Sequence, residues 1–286
     1  MQAENNFEDR PDQDSRELPS LVPEDIENRV PADLEDGLKD VIIYCLFCRE
    51  QKVAYPLKLY KHIFFDLDNT LWDYKSNMRE TFTEVVRELN LTKVQERIDE
   101  FVTLFDKNND KYWIEYRKGL ISKEFLRKKR FSDSLESIGI HDESIIPPLA
   151  ELYHQRVSRK TNLFPGVRET LTYLKGKYNL YIITNGFVEI QTNKLESSAL
   201  SHYFKRIFMA EATGFQKPDK RFFYHALSTV NAKKAESIMV GDDLEADIDG
   251  ARDAGIDQVF FNPTGLKHEV QTTYEIRSIE ELCNLL

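Results

Sequence analysis

Cysteine is scarce in this chain, and hydrophobic residues never form a long run. The 286 residues include three cysteines, Cys45, Cys48 and Cys283, which are too few and too odd in number for a disulfide framework. No segment approaches the roughly 18 consecutive apolar residues of a membrane-spanning helix. The first residues also lack the basic and apolar stretches of a signal peptide. These absences predict a cytoplasmic protein with no membrane partner and no disulfide bonds.

A basic stripe is also missing. The formal net charge is −10, and residues 1–40 contribute −9 of it through 13 acidic and 4 basic side chains, so residues 41–286 carry only −1. A nearly neutral body offers no surface for the phosphate backbone of a nucleic-acid polymer. The acidic segment holds four of the ten prolines. Its composition is typical of disorder, and we expect a disordered N-terminal extension over residues 1–56.

Cys45 and Cys48 form a Cys-x-x-Cys pair within this extension. Such a spacing could be half of a zinc site or a redox pair, but no second pair of cysteines or histidines follows at ligand spacing. A packing segment is therefore the favoured interpretation.

Two acidic residues follow the first predicted strand directly. Ile63, Phe64 and Phe65 run into Asp66, and Asp68 comes two positions later. A short apolar run bounded by polar turn residues predicts a buried strand. In open α/β sheets ligands bind beyond the carboxyl ends of the strands. Both carboxylates are therefore expected where chemistry takes place.

The hydrophobic period becomes helical between residues 76 and 159. Apolar residues recur at spacings of three and four, with breaks at Asn90, near Gly119 and at Gly139. The pattern predicts four or five helices inserted after the first strand. Its aromatic residues Trp113 and Tyr116 could line a substrate pocket, although aromatic stripes at helical spacing more often belong to a core.

Strands and helices alternate from residue 165 onward. Short apolar runs at 180–184, 206–209, 237–241 and 258–261 are separated by helical patterns. Alternation of this kind predicts an α/β fold with a doubly wound parallel sheet, in which the carboxyl ends of the strands share one edge. Together with residues 57–75, residues 160–286 would form this α/β core.

Polar residues collect at that edge, one group after each of four strands. The groups begin at Asp66, Thr184, Lys217 and Asp242. Singly, each has an ordinary structural explanation, such as an Asx turn or a helix cap. In this order they resemble the four motifs of the haloacid dehalogenase (HAD) superfamily, and the resemblance covers residues 60–286. It implies a HAD-like Rossmannoid core and makes residues 76–159 a helical C1-type cap.

The chemistry of phosphoryl transfer fits these residue types. Asp66 is the expected nucleophile, which would form an aspartyl-phosphate, and Asp68 would protonate the leaving group and then activate water. The expected charge near Asp68 favours its protonated form. Asp66, Asp242 and Asp243 within one crevice would repel each other without a cation, and oxygen ligands beside a phosphate favour Mg²⁺.

The resemblance assigns the remaining roles. It implies that Asp66, the backbone carbonyl of Asp68 and Asp242 hold Mg²⁺, with Asp243 and Asp247 in support. Thr184 and the amide of Asn185 would bind phosphate oxygens, and Lys217 would neutralise the phosphoryl group. Dehalogenating members lack the second carboxylate of the first motif, so Asp68 favours phosphate-ester hydrolysis.

Further residues are similar to the pyrimidine 5′-nucleotidase subgroup related to bacterial YjjG. They include the stretch 183–187 and Trp113 and Tyr116 of the insertion. The resemblance implies hydrolysis of nucleoside 5′-monophosphates, with Trp72, Trp113, Tyr116 and Phe187 as candidate substrate or cap residues. The alternatives are a phosphatase or mutase for a small ester such as phosphoglycolate or a sugar phosphate, a 2-haloacid dehalogenase, and a binding protein that has lost catalysis. Oligomeric state is not predicted.

Overall fold

The computed structural model describes residues 60–286. The predicted N-terminal extension and the Cys45 and Cys48 pair lie outside the described residues. Within residues 60–286 no helix is long and apolar enough to cross a membrane.

Six parallel strands form a single sheet in the order β3-β2-β1-β4-β5-β6. β1 lies in the middle and pairs with β2 on one side and β4 on the other. Because the sheet order reverses at β1, the carboxyl end of this strand opens into the crevice where such folds bind ligands. The strands are β1 (His62–Phe65), β2 (Asn179–Thr184), β3 (Arg206–Met209), β4 (Ser237–Gly241), β5 (Asp257–Phe261) and β6 (Tyr274–Ile276).

The predicted fold class is confirmed by this parallel sheet with helices. One strand was not predicted: β6, Tyr274–Ile276, is a three-residue edge strand that pairs with β5 through residues 259–261. It lies in a polar stretch without an apolar run. Edge strands need no continuous hydrophobicity, so the sequence pattern gave no signal for it.

The segment between β1 and β2 is mainly helical. Asn90, Gly119 and Gly139 follow the ends of the first, third and fourth of its helices with φ of 53°, 69° and 74°, left-handed values that stop a helix and suit Gly and Asn. These are the breaks predicted from the sequence. The helices are α1 (Tyr74–Glu88), α2 (Thr92–Gln95), α3 (Ile98–Arg117), α4 (Lys123–Ser137) and α5 (Ile146–Val157). The assignment of residues 76–159 as a separate cap stays a prediction.

The later helices connect the strands of the sheet. A π-helical turn, Leu244–Asp249, begins directly after β4 and runs into α10. The α-helices are α6 (Val167–Lys175), α7 (Val188–Ser197), α8 (Ala210–Thr213), α9 (Lys220–Thr229), α10 (Gly250–Ala254) and α11 (Leu282–Leu285). Four 3₁₀ turns complete the described elements: Glu143–Ile145, Ser201–Tyr203, Lys234–Glu236 and Ile279–Glu281.

Hydrophobic side chains cover both faces of the sheet. Ile63 and Phe65 of β1 point into one cluster, which continues through Phe82 and Phe105 of the inserted helices. Phe64 points into a second cluster on the opposite face. A strand buried on both faces is uniformly apolar, as expected for a parallel sheet. The core thus fixes β1 rigidly and leaves only its carboxyl end free to hold polar groups.

Candidate active site

Asp66 leaves the centre of the sheet at the end of β1. Its backbone N–H donates to the carbonyl oxygen of Val240 at 2.9 Å, which continues the pairing of β1 with β4 by one residue. The chain then turns sharply, because the N–H groups of Leu71 and Trp72 both donate to the carbonyl oxygen of Leu67. Asp66 is only 7% exposed. The turn therefore holds its carboxylate in a protected crevice.

Lys217 is the buried cation of this crevice. Its Nζ donates to Asp66 Oδ1 at 2.5 Å and to Asp247 Oδ1 at 2.6 Å. Burial alone would lower the pKa of Lys217, but Asp247 and Asp66 raise it above its ordinary value, so the amine stays charged. Asn185 fixes the lysine backbone, because it accepts from the Lys217 N–H and donates to the Lys217 carbonyl oxygen, each at 2.8 Å.

Three carboxylates surround the crevice. Asp66, Asp242 and Asp247 each carry an oxygen within 4.8 Å of the others. Burial raises the pKa of Asp66 to about 8 although Lys217 opposes the shift, and burial with the charge of Asp66 raises the pKa of Asp242 well above its ordinary value. One lysine cannot balance three acids, so such crowding stays costly unless a further cation lies among them. An all-oxygen set fits a hard divalent ion such as Mg²⁺.

Asp247 is closer to this cluster than its supporting role in the sequence prediction suggested. Its carboxylate lies against Gly241, where a Cβ would come within 2.2 Å of Asp247 Oδ2. Glycine at the end of β4 therefore makes room for this acid. Asp247 Oδ2 also accepts from the backbone N–H of Asp243 at 3.1 Å. The buried acid thereby orders the loop that carries Asp242 and Asp243.

Thr184 ends β2 beside the same crevice. Its Oγ1 accepts hydrogen bonds from the Gly186 N–H and from Gln191 Nε2, both at 3.1 Å. Both bonds use the oxygen as an acceptor, so the hydroxyl hydrogen remains able to donate. Thr184 and Asn185 both line the cavity that contains Asp66. A donor here is suited to a phosphate oxygen.

Two residues of α7 that the sequence analysis did not single out hold Asp68. Lys194 Nζ donates to Asp68 Oδ1 at 2.5 Å, and Gln191 Nε2 donates to Oδ2 at 2.7 Å. Lys194 is 4% exposed and also lies 4.1 Å from the Trp72 ring centre. Both oxygens of Asp68 therefore accept hydrogen bonds in this arrangement. The sequence had predicted neighbours that favour the protonated form of the Asp68 carboxyl group. The spacing of residues 191 and 194 on one helix face was the available signal.

Asp243 links the end of β4 to the inserted helices. Its Oδ1 caps the following π-helical turn by accepting from the N–H groups of Glu245 and Ala246, at 3.0 and 2.9 Å. Its Oδ2 accepts from Arg117 at the end of α3, at 2.6 Å. Burial alone would raise the pKa of Asp243, but Arg117 and the Ala246 N–H lower it below its ordinary value. Asp243 therefore both caps this turn and forms an ion pair with Arg117.

A cavity of about 750 Å³ opens over the crevice. Its floor includes the predicted Asp66, Asp68, Lys217, Asp242, Asp243 and Asp247. The opposite wall comes from α1, α3, α4 and α5, which contribute residues such as Asn109, Trp113, Arg130 and His154. A cavity of this volume and mixed polarity is typical of a small-molecule site.

The four aromatic candidates occupy different places. Trp113 and Phe187 line the cavity, and their ring centres are 5.2 Å apart. Tyr116 packs on Phe187 at 5.7 Å and does not line the cavity. Trp72 is fully buried, donates from Nε1 to the Lys160 carbonyl oxygen at 3.0 Å and is also outside the cavity wall. Trp113 and Phe187 are thus the two that can contact a ligand.

Known proteins with similar sequences and structures point to one family. The model of the haloacid dehalogenase-like hydrolases matches residues 60–255. The pyrimidine 5′-nucleotidase PynA of Streptococcus pneumoniae is 32% identical over 231 residues, which cover 79% of this chain and 95% of PynA. The chain belongs to the haloacid dehalogenase-like hydrolase family, and the resemblance to pyrimidine 5′-nucleotidases found in the sequence is confirmed.

Solved structures agree on the fold. A crystal structure of YfnB from Bacillus subtilis, named as a HAD hydrolase and bound to magnesium, is 28% identical with a TM-score of 0.70, covering 79% of this chain and 98% of YfnB. A dehalogenase structure is 22% identical with a TM-score of 0.64, covering 80% and 97% of the two chains. At that identity the second likeness shows the fold alone.

Proposed function

We propose that this protein is a Mg²⁺-dependent phosphatase of nucleoside 5′-monophosphates, a 5′-nucleotidase, that acts through an aspartyl-phosphate on Asp66. The observation that carries the proposal is the buried pair of Asp66 and Lys217 below a cavity lined by Asp68, Thr184 and Asp242. Nucleophile, proton donor, hydroxyl donor and cation are the groups that phosphoryl transfer requires.

Asp66 attacks the phosphorus atom with one carboxylate oxygen. Lys217 holds Asp66 Oδ1 at 2.5 Å, which fixes the carboxylate and leaves Oδ2 for the attack. The same ammonium group neutralises charge on the phosphoryl oxygens, and Asp247 keeps it in place. Thr184 donates its hydroxyl hydrogen to a second phosphoryl oxygen, and the backbone amide of Asn185 contributes beside it. Positioning and charge thus come from buried groups whose geometry is fixed before substrate binds.

Asp68 transfers the proton. It protonates the leaving oxygen of the ester, and the resulting carboxylate then takes a proton from the water that hydrolyses the aspartyl-phosphate. Its contacts with Lys194 and Gln191 represent the acceptor state of this cycle. Mg²⁺, held by Asp66, the Asp68 carbonyl oxygen and Asp242 with Asp243 and Asp247 in support, would neutralise the phosphate and the acids. The raised pKa values of Asp66 and Asp242 support a cation at this place.

Two observations favour a nucleotide substrate. PynA, which is 32% identical over most of the chain, is a pyrimidine 5′-nucleotidase. The cavity of about 750 Å³ is also much larger than phosphoglycolate requires, and Trp113 and Phe187 provide aromatic surface for a base. A small non-nucleotide ester remains the alternative substrate. Dehalogenation is disfavoured by Asp68, and loss of catalysis is disfavoured by the complete set of polar groups.

Phosphate release from a panel of nucleotides, sugar phosphates and phosphoglycolate tests the proposal. We expect turnover of nucleoside monophosphates with Mg²⁺ and none with EDTA. Asp66→Asn should lower kcat by roughly 10³-fold or more, because the nucleophile is lost. Asp253→Asn, which removes an exposed carboxylate that does not line the cavity, is the matched control. Full turnover by Asp66→Asn would contradict the mechanism, and turnover of sugar phosphates alone would contradict the substrate class.

A further inference from the structure

An arginine without a carboxylate partner lies in the cavity wall. Arg130 of α4 is 6% exposed and lines the cavity above Asp66. Its hydrogen-bond partners within residues 60–286 are two neutral groups, Asn109 Oδ1 and His154 Nε2, each at 2.6 Å. Its Nε has no hydrogen-bond partner among the same residues and is enclosed by protein atoms, with the ring centres of Phe105 and Phe131 5.3 and 5.6 Å from the guanidinium carbon. Buried charges are ordinarily paired, because removing an ion from water is costly. A cavity-wall arginine without a carboxylate partner therefore points to a ligand that accepts from the remaining hydrogens of its two Nη atoms.

His154 is a neutral partner of Arg130. Its Nδ1 lies 2.6 Å from the carbonyl oxygen of Ala150, so this nitrogen is the donor and Nε2 accepts from Arg130. Burial and the neighbouring charge of Arg130 lower the pKa of His154 to about 2. The imidazole is therefore neutral and serves to orient the guanidinium group.

Asn109 is oriented by the same contact. Because its Oδ1 accepts from Arg130, its Nδ2 faces away from the guanidinium group and forms no hydrogen bond with the described residues. Asn109 is 6% exposed and belongs to the cavity wall. Arg130 and Asn109 together offer the cavity N–H donors and no free acceptor. Their ligand must carry an acceptor oxygen.

The charge of the cavity decides which acceptor fits. Asp110 follows Asn109 on α3 and also lines the cavity, as do Asp73 and Asp243. A phosphate ester that also carried a carboxylate would meet these acids with two negative groups. A neutral carbonyl oxygen avoids that repulsion and still accepts from both donors. Cytosine, uracil and thymine share such an oxygen at C2 of the ring, whereas adenine has no carbonyl group.

We propose that Arg130 and Asn109 are the specificity-determining subsite for a pyrimidine base and donate hydrogen bonds to its C2 carbonyl oxygen. This inference rests on the proposed nucleotidase function and deepens it. A site built to bond a substrate acceptor discriminates strongly against analogues that lack it, because the buried donors are then left unpaired. The subsite would therefore select pyrimidine over adenine nucleotides.

The test compares kcat/KM for UMP with kcat/KM for p-nitrophenyl phosphate, which has no base. Arg130→Met removes the charge, and we expect the ratio to fall at least roughly tenfold. Lys128→Met is the matched control, since it removes a positive charge from the same helix at a side chain that is 63% exposed. Its ratio should equal that of the wild type. AMP, tested in parallel, should be the poorer substrate of the wild type and should lose less in Arg130→Met than UMP.

Asn109→Asp is a second variant, which tests the subsite even if Arg130→Met fails to fold. The new carboxylate would face Arg130, pair its charge and remove the amide donors, so the variant should unfold at no lower temperature than the wild type. We expect its ratio of kcat/KM for UMP to kcat/KM for p-nitrophenyl phosphate to fall at least roughly tenfold as well.

Three results would overturn the inference alone: an unchanged ratio in folded Asn109→Asp, equal losses for UMP and AMP, or a loss for phosphoglycolate in place of UMP. If the wild type hydrolysed p-nitrophenyl phosphate but no nucleotide, the nucleotidase proposal would fail and this inference with it.

Discussion

At the scale of single residues, the site depends on charges that are buried in pairs. Lys217 holds Asp66, and Lys194 holds Asp68, so each carboxylate of the first motif has its own lysine. The two lysines are 2% and 4% exposed. A buried ion pair broken on one side leaves an uncompensated charge, which is far more damaging than losing a surface pair. Each lysine should therefore be sensitive to substitution, Lys217 through Asp66 and Lys194 through Asp68, and the two effects can be measured separately.

Lys194 should act on catalysis through the position of Asp68. Lys194→Met leaves Asp68 Oδ1 without its donor, so we expect the proton-transfer step to slow and kcat to fall by roughly 10 to 100-fold, within the range of general acid catalysis. We expect KM to change by less than about threefold, because Lys194 bonds to Asp68 and not to the groups proposed to bind the phosphate. Glu196→Gln, an exposed charge change on the same helix, is the control. A rise in KM with unchanged kcat would contradict the positioning role.

The stability of the metal-free protein should depend on pH through Asp66. Burial raises the pKa of Asp66 from 3.8 to about 8, so the folded protein holds a proton that the unfolded chain releases. The resulting stability is fully present below pH 3.8 and is lost as the pH rises through about 8. We expect the free energy of urea unfolding in EDTA to decline over this range, and to decline less in Asp66→Asn.

Adding Mg²⁺ should oppose this loss of stability at high pH. A ligand at 100 times its Kd stabilises the folded state by about 2.7 kcal/mol, so Mg²⁺ should offset the decline at pH 8. Asp66, Asp242 and Asp247 lie close enough for the charge of each to affect the others, so the difference between wild type and Asp66→Asn is the quantity to compare. An equal pH slope in the two proteins would show that Asp66 is not the titrating group.

At the scale of elements, contact between the inserted helices and the loop after β2 is concentrated on Phe187. The ring lies 5.2 Å from Trp113 and 4.1 Å below Lys123 Nζ. Lys123 continues to Glu211 at 2.9 Å, and Arg127 pairs with Glu189 at the same distance. An aromatic centre surrounded by ion pairs at its edge is the arrangement of a protein interface. These contacts hold α3 and α4 over the carboxyl end of β2.

Removing the Phe187 ring should loosen this contact. Phe187 is 5% exposed, and truncation of a buried phenylalanine to alanine costs about 3 to 5 kcal/mol, so we expect a loss of this order in Phe187→Ala. Urea unfolding measures it. Val188→Ala, at a neighbouring position that is 37% exposed, should change stability by less than about 0.5 kcal/mol. Equal losses in the two variants would mean that the Phe187 ring carries no contact energy.

The elements also show where sequence reasoning succeeds. The strands β1, β2 and β4, which carry Asp66, Thr184 and Asp242 at or just after their ends, were predictable, because buried parallel strands are continuous apolar runs and the polar groups follow them at once. Arg130 and Asn109 were not, since a buried polar residue on an amphipathic helix has the same local pattern as an exposed one. The pairing of Asp68 with Lys194 joins positions 126 residues apart, which only the fold brings together.

At the scale of the whole molecule, the described residues contain every group of the proposed site. The family model begins at residue 60, and the described residues that line the cavity run from Asp66 to Leu266. Residues 1–56 hold 14 acidic and 6 basic side chains and so carry −8 of the net charge of −10, which leaves −2 for residues 57–286. Removing them would therefore change the charge of the protein but none of the groups named in the site.

Removal of residues 1–56 should therefore leave the reaction intact. We expect the shortened chain to hydrolyse its best nucleotide with kcat/KM within about threefold of the full chain at 0.15 M salt, because charges beyond a Debye length of about 8 Å are largely screened. At low salt the shortened chain should have a higher kcat/KM than the full chain, because a dianionic substrate would no longer approach a strongly acidic protein. Full-length protein assayed at both salt concentrations is the control. A large loss of kcat in the shortened chain at 0.15 M salt, with its unfolding temperature unchanged, would assign these residues a part in catalysis and contradict the proposal that residues 57–286 suffice.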